Sequence, residues 1–144
     1  MKYMIMIYGA QRDYDAMAGR PDPGQSEPAL PGWTPDQFAA MGEFMEAFNQ
    51  ELADSGELVE TRGLTAPVHT RRLQLRAGVP VVTDGPYAEA EEVLAGYWIV
   101  ECDSFDRATQ IAGRLTETPG PDQARDRARV DVRPVAESRH ELDV

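Results

Sequence analysis

Cysteine, histidine and positive charge are all scarce in this chain, and each shortage excludes something. The one cysteine, Cys102, rules out an internal disulfide. It sits in an apolar run with no histidine near it, which reads as a buried, inert thiol rather than a nucleophile. The only histidines are His69 and His140, and there is no HxxxH, no CxxC and no complete EF-hand pattern, so no metal is expected. Basic side chains number 14 against 25 acidic ones, a formal net charge of −11. That balance argues against nucleic acid, whose binding rests on many Lys and Arg contacts to phosphate, and against an anionic membrane surface. Long apolar runs are missing too: "MKYMIMIYGA" is too short and too soon interrupted for a signal or membrane segment, leaving a cytoplasmic protein as the expectation. No Ser-His-Asp set, phosphate loop or dinucleotide fingerprint can be assembled, and "AGYWIVE" lacks the glycine spacing such loops need. No cofactor is expected.

What is present is an ordinary globular composition. With 144 residues, 42% hydrophobic and 27% charged, the chain can bury a real core as one domain. That domain is expected over residues 1–135, with a polar tail at 136–144 that frays.

Residues 1–8 read as a strand apolar on both faces, Tyr3, Ile5 and Ile7 on one side and Met4, Met6 and Tyr8 on the other. Residues 10–32, with four prolines and three glycines, read as one long loop. Thr34, Pro35 and Gln37 then form a helix start with a capping box, and Trp33 with Phe38 has the spacing of a hydrophobic staple. Phe38, Met41, Met45, Phe48 and Leu52 make one apolar stripe, and Gly56 supplies the stop. A strand follows over residues 57–64, then a hairpin in "RRLQLRAGVPVVT" turning at Ala77-Gly78. "AGYWIVEC" is a second strand apolar on both faces. Ser104 caps a second helix carrying Phe105, Ala108, Ile111, Ala112 and Leu115, and a Pro/Gly break at 119–121 precedes a last strand in "RARVDVRPV". Glu91 and Glu92 read as a solvated helical turn before Val93.

The order β-α-β, hairpin, β-α-β predicts an α+β ferredoxin-like fold of the split βαβ kind: an antiparallel sheet with two helices on one face. Two helices cover one face only. The Met4, Met6, Tyr8 face therefore needs another cover, and a second copy of the sheet supplies it, so a homodimer through the open face is expected.

"MKYMIMIYG", "VVTDGPYAE", "LAGYWIVEC" and "VDVRPV" stand in this order along nearly the whole chain, and Asp84-Gly85-Pro86 with Ala88-Glu89 is the most specific part. In these segments the chain resembles the DGPF group of the YCII-related family, with Tyr87 where that group has Phe. The resemblance implies a dimeric α+β barrel. It also implies a small enzyme pairing an Asp with a His on the first helix, and a setting beside alternative sigma factors. No histidine lies between Pro35 and Ser55, and Met45 falls about where one is expected.

Asp84 has two readings, a turn stabiliser or a site carboxylate; the ordinary Asp-turn partner two residues on is Pro86, which has no N–H. Glu89 belongs to the motif and could reach the same cleft, where paired carboxylates can act as general acid and base. Asp84 and Glu89 are thus the candidate catalytic residues of a cofactor-free enzyme transferring protons on a small metabolite. The candidate ligand contacts are Tyr8, Gly85, Pro86, Tyr87, Tyr97 and Arg129. Tyr8 and Tyr97 read equally as core or interface residues with a hydroxyl at the rim. Arg129 and Arg133 need anionic partners, with Asp131 a local candidate. The alternative function is a non-catalytic ligand-binding or regulatory dimer.

Overall fold

The computed structural model describes residues 1–19 and 33–143. Among these residues there are six strands: β1 (Lys2–Gly9), β2 (Leu58–Gly63), β3 (Arg71–Arg76), β4 (Val79–Asp84), β5 (Val93–Glu101) and β6 (Val130–Pro134). Four α-helices accompany them: α1 (Gln11–Met17), α2 (Pro35–Asp54), α3 (Phe105–Arg114) and α4 (Asp122–Arg127). β2, β5, β1 and β6, in that order, form an open antiparallel sheet, while β3 and β4 pair as a separate two-stranded hairpin. This is the α+β, ferredoxin-like arrangement expected from the sequence.

The sheet's inner face and the two long helices make the core. Tyr3 and Ile5 of β1, Trp98 and Val100 of β5, Phe48 and Leu52 of α2, and Ile111 and Ala112 of α3 are all buried there. Phe48 meets Trp98 edge to face at 5.6 Å, a favoured aromatic geometry. The buried indole N–H of Trp98 donates to Asn49 Oδ1 at 2.7 Å, so the core's polar tip is satisfied. Cys102 is buried, as expected of an inert thiol. Among the described residues no helix is long and apolar enough to cross a membrane.

The caps behave as their residues dictate. Thr34 Oγ1 accepts from the Gln37 N–H and the Gln37 side chain accepts from the Thr34 N–H, closing the capping box. Trp33 and Phe38 lie edge to face at 6.5 Å. Gly56, at φ 77°, follows the end of α2, and Ser104 caps α3 through the Arg107 N–H. Ala77 and Gly78 both take positive φ, as the tight hairpin turn between β3 and β4 demands.

Four local expectations differ from the structure. The segment read as a loop from Ala10 contains α1; residues 20–32, the rest of it, lie outside those described. Seven residues hold little helix alone, and tertiary ties fix this one. The Arg12 N–H donates to Glu89 O at 3.1 Å, Tyr14 Oη to Leu64 O at 2.9 Å, and Arg127 to Asp13 at 2.8 Å. α4 likewise follows the Pro/Gly break where only a connection to the last strand was read. Glu91 and Glu92 are not helical: the turn lies at Glu89–Ala90, closed by the Glu91 N–H donating to Ala88 O at 3.0 Å, and Glu92 pairs with Arg129 at 2.7 Å. The polar tail holds a 3₁₀ turn over Arg139–Asp143.

Candidate functional site

A cavity of about 300 Å³ opens at the end of the sheet where β1 runs out. Its floor is Ile7, Gly9 and Val130 of the sheet; its walls come from α1, the first half of α2, the turn after α3, and α4. The local sequence explains the opening. β1 and β5 change register between Ile7 and Tyr8, leaving Ala95 as an extra residue beside the end of β1. Gly9 packs against Tyr14 and Ala95: a Cβ there would meet each at ordinary contact distance, 3.6 Å.

Most of the lining is apolar, with Trp33, Met41, Met45 and Leu115 facing the space. The polar part is concentrated on one side. Asp13 Oδ2 accepts from the Ala10 N–H at 2.8 Å and its Oδ1 from Arg127 Nη2 at 2.8 Å, so both oxygens are engaged. Arg127 Nε donates to Gln123 O at 3.2 Å. Tyr14 is held above its ordinary pKa by burial and, secondarily, by the Asp13 charge, and its phenol is a neutral donor at neutral pH.

At the rim, Tyr8 Oη donates to Asp131 Oδ2 at 2.7 Å while the Arg129 guanidinium sits 4.2 Å over the Tyr8 ring. The bond to Asp131 is the main reason the Tyr8 pKa is raised; burial and the Asp131 charge add to it, and Arg129 and Arg133 oppose it. Arg129 takes Glu92 as its anion, while Asp131 Oδ2 accepts from the tyrosine. Of the candidate catalytic and ligand-contact residues, Tyr8 and Arg129 line this cavity.

The others lie elsewhere. Asp84 ends β4 with its side chain 81% exposed and pairs with Arg71 at 3.5 Å. Gly85, at φ 54°, donates its N–H to Thr70 O at 2.8 Å, and a Cβ there would press on Val68 O at 3.3 Å, so glycine is required by shape. Pro86 and Tyr87 are half-buried beside it, and Arg72 stands 4.7 Å over the Tyr87 ring. The Glu89 side chain is exposed, and its backbone carbonyl holds α1. Tyr97 lies on the sheet opposite Met6 and Arg62. None of these six lines the cavity.

Sequence reading passed over Asp13, Tyr14, Arg125 and Arg127. The only local signal for the first two was the spacing Tyr14–Met17 inside a segment dominated by Pro and Gly further on. For the arginines it was the run "RDRAR" at 125–129. Met45, standing about where a family histidine is expected, faces the cavity with a thioether. His69 and His140 are exposed in 3₁₀ turns away from it. No cluster of three His, Cys, Asp or Glu suited to a metal occurs among the described residues.

Comparison with known proteins agrees with this architecture. The YCII-related domain matches residues 1–119. The chain belongs to the YCII-related domain family. An uncharacterized protein from Rhizobium meliloti (strain 1021) is 27% identical to it over 90 residues, which is 62% of this chain and 73% of that protein. The family match ends before α4 and β6, so this YCII-related chain places Arg125, Arg127 and Arg129 on its cavity from outside the matched segment.

Proposed function

We propose that this YCII-related chain is a small-molecule-binding protein whose ligand enters the cavity between β1, α1, α2 and α4, and that it works as a homodimer. The observation carrying the binding reading is the cavity itself. At about 300 Å³, mostly apolar with a few polar groups on one side, it has the size and character of a small-ligand site. Its lining among the described residues has no imidazole, and both its carboxylates are engaged, Asp13 with Ala10 and Arg127 and Glu92 with Arg129. Such a lining favours holding a molecule over moving its protons. A ligand-responsive dimer also fits the regulatory setting that the DGPF resemblance implies.

The dimer rests on uncovered apolar surface. Both long helices pack on the inner face, leaving Met4, Met6, Tyr97 and Ile99 together on the other. The hairpin adds Leu73, Leu75 and Val82, which share one of its faces and are 67%, 74% and 57% exposed.

A proton-transferring enzyme built on Asp84 and Glu89 remains the second reading. It is favoured by one link: the Glu89 carbonyl and the Gln11–Val68 bond at 2.9 Å tie the Asp84 turn to α1, which walls the cavity. Against it stands the exposure of both carboxylates, neither of which lines the cavity.

Met45→Trp tests the binding reading by filling the cavity. Metabolites that raise the melting temperature of the native protein should lose their effect in this variant; at a hundredfold excess over Kd the lost stabilisation is about 2.7 kcal/mol. A ligand bound equally well by both places the site elsewhere. Asp84→Asn, measured alongside, should leave ligand binding unchanged; loss of a turnover found in the native protein would favour the enzyme.

A further inference from the structure

We infer that the cavity takes an amphipathic carboxylate, its apolar body among Trp33, Met41 and Met45 and its carboxylate held by Arg127 with help from Arg125. This rests on the cavity being the ligand site and adds the chemical class of the ligand.

Charge is the first reason. The chain carries a net −11, yet three arginines, Arg125, Arg127 and Arg129, meet at this cavity against two carboxylates, Asp13 and Glu92. Arg129 is matched by Glu92 and Arg127 by Asp13, while Arg125 has no ion pair among the described residues. A local excess of one positive charge in an acidic protein suits a single negative charge and not a phosphate-rich polyanion.

The second reason is an unsatisfied donor. Arg127 Nη2 donates to Asp13 and Nε to Gln123 O, but Nη1 is closed off from solvent with no acceptor among the described residues. Arg12 Nε, beside Asp13 in sequence, is in the same state. Asp13 accepts from Arg127 Nη2 and the Ala10 N–H, and makes no bond to either of these two nitrogens. Buried donors are seldom left unpaired, and a guanidinium donor is among the costliest to strand. A ligand carboxylate admitted by a small shift of the Arg127 side chain would accept from Nη1. The fork geometry of arginine matches a carboxylate's two oxygens.

The third reason is the rest of the wall. Trp33 offers a flat apolar surface, and the two methionines adapt to an irregular body. The arginines that give the preference lie beyond residue 119, where the family match stops, so the anion preference belongs to this chain's own final segment.

Phenylacetate and its neutral isostere phenylacetamide make a matched pair of probes. Calorimetry and amide NMR on the full chain at neutral pH should show phenylacetate binding about tenfold more tightly than the amide, with shifts at Tyr14, Met45 and Arg127. In Arg127→Met the preference should disappear. Because that change also frees Asp13, Arg125→Met serves as the second variant; it keeps the Asp13 pair and should narrow the preference. Equal affinity for the two probes, with shifts still at the cavity, overturns the carboxylate assignment and leaves the cavity reading standing. Binding unaffected by Met45→Trp, or no shift at any lining residue at millimolar probe, overturns both.

Discussion

Glu57 shows how one side chain joins elements that are distant in sequence. It follows Gly56 at the end of α2, and its two oxygens accept from Arg107 Nη2 at 2.8 Å and Nε at 2.9 Å on α3. Ser55 Oγ donates to the same carboxylate at 2.9 Å. The Arg107 bonds are the main cause of its lowered pKa, against a smaller opposing effect of burial. A depressed carboxylate stabilises the fold above its unfolded pKa, and that contribution is lost as pH falls through the lower folded value. Glu57→Gln should therefore lower the urea midpoint at neutral pH, with the deficit shrinking on acidification below the ordinary value of 4.5. The effect is modest, because Arg107 remains 45% exposed. A deficit unchanged by acid would remove the ion pair from the account. At this same scale the sequence was least informative about Asp84. Its Gly-Pro neighbours declared a turn, but whether the carboxylate faced a cleft or water depended on where the hairpin stood.

Among the elements, β5 sits at the sheet's centre between β2 and β1, and Gly96 lets it do so. A Cβ on Gly96 would stand 3.1 Å from Arg62 O and 3.6 Å from Ile7 Cδ1, on both flanking strands at once. Gly96→Ala should cost about 1–3 kcal/mol by overpacking and speed hydrogen exchange in β2 more than in α3. Equal stability would mean that β2 shifts freely, and would question its register. α2, α3 and the hairpin turn were legible because their signals are local: a capping box, a stripe at three- and four-residue steps, two residues able to take positive φ. α1 and α4 were not. Each has fewer than eight residues, and both are joined through Arg127 and Asp13 across 114 positions of sequence. No window of neighbouring residues contains that contact.

For the whole molecule, the proposed pairing has a direct test. Met6 lies in the middle of the uncovered sheet face, and covering one such side chain is favourable by about 1.5–3 kcal/mol. The native chain should sediment as a dimer at micromolar concentration, and Met6→Glu should sediment as a monomer with its secondary structure intact. A native protein that stays monomeric would leave the apolar hairpin face and the open sheet face without their proposed cover.

By itself the sequence determined the order of the six strands and the two long helices, the ferredoxin-like sheet and its two-faced apolar strands, since periodicity and caps act between residues within a few positions of each other. Only the tertiary structure decided where a ligand could sit. The cavity exists because a short helix near the N-terminus and another near the C-terminus close on the end of β1. Their meeting places an arginine against an aspartate that no spacing rule could have paired.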